Sequence, residues 1–417
     1  MGDKTAAPLG RRTVLATSAA ALAMPWVARA QANPLKIGIQ SIFSGPIALL
    51  GTSSRGAIQP EIDRINATGG LLGRQIQTIY RDSKGQPQEA ARVARELVNT
   101  DGCEILLDAE ASSGAYAVQE VVRDLGVLCI HCTSETSSLT ADPKLRAPTA
   151  FRSARQGVHD SIVGGAFAAR VAVAKKLNKW ATCSPDYSFG RDTTAQFSEF
   201  LKHFAPDVEV TSQSWPKMGQ PDFTEVVTKI LQAKPQALYS ALFAGDLSAF
   251  ISQGNSYALF SAMEVFMPTM GDLPVLTTVK NLPAGIHSAT RYLPSFPDTA
   301  VNAAWYAANR KANNNDYPTN WSWECSTSVR FMEAAVKKAN STDGKAAAAA
   351  LEGLTIDTPF STTGKVTMRA EDHTMVNYAI GWGTTTPKEP FVTGIEPGDW
   401  GQILELEAEW KKKSGYI

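Results

Sequence analysis

The regular alternation of short β-branched apolar runs with amphipathic helical patterns constrains the fold more than any other feature. Strand-like runs stand at residues 35–42, 74–82, 103–108 and 127–132, and helical patterns fill the intervals at 51–70, 87–102 and 112–126. Within one helical pattern, Val93, Leu97 and Val98 recur at the spacing of a single helix face. Strands separated by helices predict parallel βαβ units with right-handed crossovers.

The same rhythm resumes after residues 147–154 and continues to about residue 269. A chain of 417 residues also exceeds what one hydrophobic core usually serves. We therefore predict an α/β protein with two Rossmann-like lobes. Residues 297–353 are predicted to be mostly helical, with Trp321 packing a helix into the core, and residues 361–382 to form antiparallel strands.

The N-terminal residues have the pattern of an export signal. Arg11 and Arg12 precede a short, mildly apolar run that ends in small residues. That run, residues 13–28, is shorter than the ~20 residues that cross a membrane. We predict a signal peptide over residues 1–32, cleaved near Ala30 or Ala32, and a periplasmic mature protein. The arginine pair favours the twin-arginine route, with an ordinary signal as the alternative.

Composition argues against several classes of partner. The chain carries 40 basic and 40 acidic residues, so it has no electrostatic preference for nucleic acid. No later run is long enough to span a membrane. The five cysteines are Cys103, Cys129, Cys132, Cys183 and Cys325. One disulfide is compatible with an oxidising compartment, but the Cys129–Cys132 pair lies in a predicted buried strand, which disfavours a metal or redox site.

Sequence motifs give no support for enzymatic chemistry. The glycine-rich segment 68–74 ends a helix and precedes a strand, whereas a dinucleotide loop needs the opposite order. The histidines lack zinc-ligand spacing, and no Gly-x-Ser-x-Gly motif occurs. We expect no cofactor, no metal and no catalytic residue. A secreted hydrolase with a triad that is scattered along the sequence remains the enzyme alternative.

Hydroxyl groups cluster where two predicted strands of the first block end. Ser112 and Ser113 stand between a strand and a helix, where free N–H groups and hydroxyls can hold a carboxylate. Thr133 and Glu135 follow the next strand at the same sheet edge. Parallel sheets bind ligands outside the carboxyl ends of their strands, so we predict a binding site here. The alternative for the serines is a plain helix cap.

The second block places aromatic and acidic residues at equivalent strand ends. Tyr187 and Phe189 follow one predicted strand, Phe243 follows another, and Met270 and Asp272 follow a third. Aromatic rings at a lobe edge can close over a small ligand and exclude water. We predict that these five residues contribute to the same site. Packing at the lobe surface is the alternative.

Several segments together resemble the leucine/isoleucine/valine-binding protein family, the periplasmic substrate-binding components of ABC importers. They are residues 42–51, 62–83, 88–102, 124–140, 149–154, 185–192, 222–241 and 372–382. The resemblance implies the type I periplasmic binding protein fold, with a three-segment hinge near residues 152–155, 287–291 and 362–366. It implies an N-terminal lobe of residues 33–153 and 290–364, and a C-terminal lobe of residues 154–289 and 365–417. It also implies an inner-membrane ABC permease as partner.

The resemblance also assigns roles to residues. It places Ser112 against a ligand carboxylate and Thr133 as a main-chain contact. Glu135 stands at the position of a family threonine, and Phe243 at that of a tyrosine. Leu50 replaces an aromatic residue that packs on the ligand. Gln86 and Ala111 occupy the positions of the family's short disulfide.

The ligand class depends on Met270, which falls near the family residue whose carboxylate pairs with an amino group. If Glu135, Asp272 or Glu110 supplies that carboxylate instead, the ligand is an amino acid. If none does, it is a keto, fatty or aromatic acid, because an unpaired buried ammonium is costly. We expect an amino acid or a similar small carboxylate, delivered to the permease. A periplasmic ligand sensor is the further alternative.

Overall fold

Strands and helices alternate through the computed structural model, which describes residues 1–2 and 33–417. Nearly all of the predicted export signal lies outside the described residues. The strands are β1 Leu35–Ser41, β2 Ile76–Asp82, β3 Ile105–Ala109, β4 Leu128–His131, β5 Ala150–Arg152, β6 Lys179–Cys183, β7 Glu209–Ser214, β8 Ala237–Tyr239, β9 Glu264–Phe266, β10 His287–Ala289, β11 Thr355–Asp357, β12 Lys365–Met368, β13 Met375–Val376, β14 Gly381–Thr385 and β15 Val392–Pro397.

The helices connect these strands and cover the sheets. They are α1 Leu49–Ala67, α2 Pro87–Asn99, α3 Ser112–Leu125, α4 Ser138–Ala141, α5 Gly157–Lys175, α6 Ser188–Phe204, α7 Thr224–Ala233, α8 Ala244–Ser256, α9 Leu259–Ala262, α10 Leu273–Thr278, α11 Ala300–Ala312, α12 Asn320–Ala339, α13 Gly344–Leu351 and α14 Trp400–Lys413.

The first lobe is built on a five-stranded parallel sheet. Its strand order is β2-β1-β3-β4-β5, with β1 paired to both β2 and β3 in parallel register. Strand β3 is buried along its whole length, as expected for a parallel sheet covered on both faces by helices. The glycine-rich segment 68–74 forms a turn between α1 and β2, with Leu71 bridged to Arg74, which confirms its predicted role.

The second lobe is built on a seven-stranded mixed sheet. Its strand order is β15-β14-β10-β9-β8-β6-β7. Strands β6 to β10 run parallel, whereas β14 is antiparallel to β10 and β15 is antiparallel to β14. Two lobes of parallel βαβ units confirm the predicted fold class.

A third, antiparallel sheet consists of β11, β12 and β13, which lie between β10 and β14 in the sequence. Helix α12 packs along α1 of the first lobe and also contacts β11. The predicted lobe boundary between residues 364 and 365 falls between β11 and β12, which are hydrogen-bonded to each other. The lobe boundaries themselves stay a prediction.

The two lobes touch each other across a cleft. Pro46 follows β1 in the first lobe and lies against Gly245 of the second lobe. A Cβ placed on Gly245 would lie 3.0 Å from the carbonyl oxygen of Pro46. Ser137 donates a hydrogen bond from its hydroxyl to Gln196 Oε1 of α6 at 3.3 Å. The cleft is therefore closed in this structure.

The cysteines are buried and unpaired in the part of the chain that the structure describes. Cys129 lies within β4 and Cys132 directly after it, which confirms the buried strand predicted there. Among residues 33–417, no helix is long and apolar enough to cross a membrane. The same residues contain no group of three or more His, Cys, Asp or Glu side chains arranged for a metal.

Candidate ligand-binding site

The topology creates one crevice at the carboxyl edge of each parallel sheet. In the first lobe β2 lies on one side of β1, whereas β3, β4 and β5 follow in order on its other side. The strand order therefore reverses between β1 and β3. In the second lobe β6 and β8 are related in the same way, because β7 lies on the far side of β6. Such switch points are where open α/β sheets bind ligands. The two crevices face each other across the closed cleft.

A cavity lies between these crevices. Its walls come from the segments after β1, β3, β4, β6, β8, β9 and β10, together with the start of α12. The lining residues are Leu50, Ala111, Ser112, Thr133, Glu135, Tyr187, Phe189, Phe243, Thr269, Arg291 and Trp321. Six of the nine residues predicted for the site are therefore brought together here.

Ser112 presents its hydroxyl at the first residue of α3. Ala111 before it is extended, and no side chain caps the first amides of the helix. The Ser112 hydroxyl oxygen accepts a hydrogen bond from the Ser134 hydroxyl at 3.3 Å, and Thr133 donates its hydroxyl proton to the Glu110 carbonyl oxygen at 2.9 Å. A hydroxyl beside uncapped helix amides suits an anionic group.

Aromatic rings form the wall that the second lobe contributes. Tyr187 and Phe243 each stand directly before a helix, α6 and α8. The ring centroids of Phe189 and Phe243 lie 5.9 Å apart in an edge-to-face arrangement, and Trp321 meets Phe243 edge-on at 6.1 Å. This wall suits a flat or apolar ligand body.

Gly190 makes the turn that carries Tyr187 and Phe189 possible. A Cβ at this position would lie 2.0 Å from the carbonyl oxygen of Pro185, so any side chain would force the loop apart. Burial raises the pKa of the Tyr187 hydroxyl above its usual range. Tyr187 therefore faces the cavity as a neutral group.

Glu135 is held by Arg291, which follows β10. Arg291 donates from Nη1 to Glu135 Oε2 at 3.0 Å and from Nη2 to Oε1. Asn320 Nδ2 donates to the same Oε1 at 3.3 Å. Burial disfavours the charged form of Arg291, but the contacts with Glu135, Asp272 and Asp160 raise its pKa overall. The cavity wall therefore contains a charged and mutually neutralising pair.

Three residues predicted for the site lie outside this lining. Met270 is fully buried in the apolar core, because its backbone N–H turns back to the Met267 carbonyl. Asp272 precedes α10 and accepts the Asn320 backbone N–H at 2.9 Å, and burial raises its pKa. Ser113 follows Ser112 on α3 and does not face the cavity. Glu110 is buried without lining it.

Sequence reasoning missed several of the lining residues. Arg291 lay in the predicted second hinge segment and Thr269 next to Met270, but neither was assigned to the site. Trp321 was expected to pack in the core. Leu50 had been noted through the family resemblance, and it does line the cavity. Thr269 and Arg291 each follow closely after a strand, β9 and β10. This position was the signal from which both could have been assigned to the site.

Two α/β lobes closed around a cavity between their switch points define a two-lobed solute-binding protein. The chain belongs to the periplasmic binding protein family, whose sequence model matches residues 34–380. This match confirms the family resemblance.

Known proteins support the same assignment. Leu/Ile/Val-binding protein homolog 4 of Brucella abortus is 24% identical over 375 residues, with 85% of each chain covered. A solute-binding protein of an ABC transporter from Rhodopseudomonas palustris, in complex with 3,4-dihydroxybenzoic acid, has a TM-score of 0.76 and 24% identity, covering 88% of this chain and 95% of its own. A branched-chain amino acid transporter substrate-binding protein of Streptococcus pneumoniae, in complex with isoleucine, has a TM-score of 0.72 and 20% identity, covering 88% of this chain and 99% of its own. These two structures share the fold of the present chain.

Proposed function

We propose that this protein is the substrate-binding component of an ABC importer for a small carboxylate that has no amino group, with aromatic acids as the leading class. It closes on the ligand in the periplasm, after cleavage of its export signal, and delivers the ligand to an inner-membrane permease. It performs no chemistry on the ligand. The observation that carries this choice is the pairing of Glu135 with Arg291.

The electrostatics of the cavity favour a ligand without an ammonium group. A buried ammonium needs a carboxylate partner, because an unpaired buried charge costs several kcal/mol or more. Among the lining residues that the structure describes, Glu135 carries the one carboxylate, and Arg291 and Asn320 already donate to it. The Arg291 guanidinium would also repel a second cation. These features disfavour an amino acid, which is one of the two ligand classes that the sequence left open.

The remaining walls suit an aromatic carboxylate. The Ser112 hydroxyl and the start of α3 favour a negative group, and the rings of Tyr187, Phe189 and Phe243 suit a flat apolar body. The related structures hold 3,4-dihydroxybenzoic acid in one case and isoleucine in the other. Both ligands have a carboxylate, and the second also has an ammonium. The Glu135–Arg291 pair supports the first type of ligand, which has no ammonium group.

Binding energy would drive closure of the lobes. Ser112, Thr133 and Glu135 belong to the first lobe, and Tyr187, Phe189 and Phe243 belong to the second. A ligand that touches both sets binds the closed form better than the open form, and only this difference shifts the equilibrium. We propose that the permease recognises the closed form.

A melting-temperature screen with paired ligands tests the proposed function. Phenylpyruvate and phenylalanine have the same ring and carboxylate but differ in a keto or an amino group, and benzoate and leucine extend the set. A ligand at 100 times its Kd stabilises the folded state by about 2.7 kcal/mol. We expect benzoate or phenylpyruvate to raise the melting temperature and both amino acids to leave it unchanged. A larger rise with phenylalanine than with phenylpyruvate would contradict the proposal.

Ser112→Ala is expected to weaken binding of the best carboxylate ligand by roughly 10- to 100-fold, since a hydrogen bond to a charged group contributes about 1.5–3 kcal/mol. Ser113→Ala is the matched control, because Ser113 is the next residue of α3 and does not line the cavity. Titration calorimetry of both variants with the same ligand measures the effect. Equal affinities in the two variants would remove Ser112 from the carboxylate site.

A further inference from the structure

One donor of the Arg291 guanidinium has no hydrogen-bond partner among the residues that the structure describes. The Arg291 side chain is 3% exposed, and its two terminal nitrogens bond to Glu135 and contact Asp160. Its Nε–H is buried, and no described residue accepts a hydrogen bond from it. Buried N–H groups in native proteins almost always have an acceptor. An unpaired donor on a residue that lines the cavity indicates that the ligand supplies the acceptor.

Glu135 places acceptors next to this donor. Its two oxygens receive hydrogen bonds from Arg291 and Asn320. Each carboxylate oxygen has two lone pairs, so further acceptor capacity remains. The ion pair in the cavity lining therefore contains an N–H donor without a partner among the described residues and an acceptor oxygen with spare capacity, and the net charge of this pair is zero.

A neutral group that both accepts and donates a hydrogen bond matches this wall. An ammonium only donates, and a carboxylate only accepts, so each satisfies one half of the pair. A hydroxyl does both, because its oxygen accepts from the Nε–H and its proton goes to a Glu135 oxygen. We propose that Glu135 and Arg291 recognise a hydroxyl substituent of the ligand, so that the protein selects hydroxylated aromatic acids over the unsubstituted acid. This inference rests on the proposed function, because Ser112 and α3 must take the carboxylate.

A purely structural role for Arg291, as an ion-pair partner between the lobes, explains the contacts of Nη1 and Nη2. It does not explain why the Nε–H is buried without a partner among the described residues. Nη1 and Nη2 join Glu135 of the first lobe to Asp160 of α5 in the second. A lysine has enough charge to hold such a contact but has no counterpart of the Nε–H in a fixed plane. Arg291→Lys therefore separates ion pairing from hydroxyl recognition.

Titration calorimetry with benzoate and its three monohydroxy derivatives tests the inference on the full mature chain. We expect at least one hydroxybenzoate to bind roughly tenfold more tightly than benzoate, because a site built for a hydroxyl leaves polar groups unpaired when the hydroxyl is missing. The corresponding methoxybenzoate retains the oxygen but lacks the proton, and it should lose this preference in the unmodified protein. That comparison requires no variant to fold.

Arg291→Lys should bring the affinities for benzoate and for the preferred hydroxybenzoate to within about twofold of each other, because the preference for the hydroxyl is lost. Arg369→Lys is the matched control, since Arg369 is another largely buried arginine, held by Asp372 and Glu407 outside the cavity. The control should keep the preference of the unmodified protein.

The outcomes separate the inference from the function on which it depends. If benzoate binds but no hydroxybenzoate binds more tightly, the inference is wrong and the proposed function stands. If Arg291→Lys weakens benzoate as much as the hydroxybenzoate, Arg291 holds the carboxylate and the inference is wrong. If no aromatic acid or keto acid binds the unmodified protein, the proposed function itself is contradicted.

Discussion

Arg155→Met is expected to lower the free energy of unfolding by about 3–5 kcal/mol. Arg155 is fully buried between β5 and α5, at the first predicted hinge segment, and its Nε donates to Asp160 Oδ2 at 3.0 Å while Nη2 bonds Oδ1. Methionine fills a similar volume but leaves the Asp160 carboxylate with one longer contact, 3.4 Å from Arg291 Nη1. Removing one partner of a buried pair leaves a charge that the remaining structure does not compensate.

Chemical denaturation measures this change, and Arg92→Met is its control. Arg92 also pairs with carboxylates, at 2.8 Å from Glu89, but its side chain is 52% exposed. Exposed pairs of this kind contribute at most about 1 kcal/mol. Losses of similar size in the two variants would show that the Arg155–Asp160 pair does not stabilise the lobe junction more than a surface pair does.

Glu110→Gln is expected to change how stability depends on pH. Burial raises the pKa of Glu110 to about 8, with the nearby Asp108 carboxylate adding to the shift and the Ser83 hydroxyl opposing it. In the unfolded chain this group titrates near its ordinary value, about 4.3. The folded state therefore binds the proton more tightly, and stability contributed by protonation is lost as pH rises from about 4.3 to about 8.

The glutamine variant lacks this titration, so its stability relative to the unmodified protein should increase from pH 5 to pH 9. The difference is on the order of 1.4 kcal/mol for each unit of pKa shift, a few kcal/mol in total. Denaturation at several pH values measures it. Glu120→Gln on the exposed face of α3, where Glu120 is 63% exposed, is the control. Parallel pH profiles for Glu110→Gln and the unmodified protein would contradict a raised pKa at Glu110.

Positions at strand ends were predictable because topology alone determines them. Once strands and helices alternate, the residues directly after each parallel strand must meet at one sheet edge. This reasoning found Ser112 after β3 and Phe243 after β8, and both line the cavity. This assignment required no knowledge of side-chain packing, because the spacing of apolar residues alone predicts where each strand and helix lies.

The partner of Glu135 was not predictable in this way. Arg291 lies 156 residues further along the chain, and the two meet because the segment after β10, predicted to be a hinge segment, returns to the cleft. The sequence therefore showed a carboxylate at the site but not that this carboxylate is already paired. The expected ligand class depended on this difference.

The loop after β9 shows a detail of the site that the sequence pattern could not predict. Residues 267–272 turn back on themselves, with the Met270 N–H bonded to the Met267 carbonyl. This turn puts Thr269 at the cavity and Met270 in the core. In a tight turn, neighbouring residues can face the cavity and the core in either order. The spacing of apolar residues in the sequence does not predict which of them faces the cavity.

The most direct test is a crystal structure of the mature protein bound to benzoate or to its preferred hydroxybenzoate. We predict closed lobes, with the carboxylate within hydrogen-bond distance of the Ser112 hydroxyl and the first amides of α3. The ring should lie against Phe189 and Phe243, with Glu135 still paired to Arg291. A ligand outside this cavity, or an amino acid whose ammonium has displaced Arg291 from Glu135, would contradict the account.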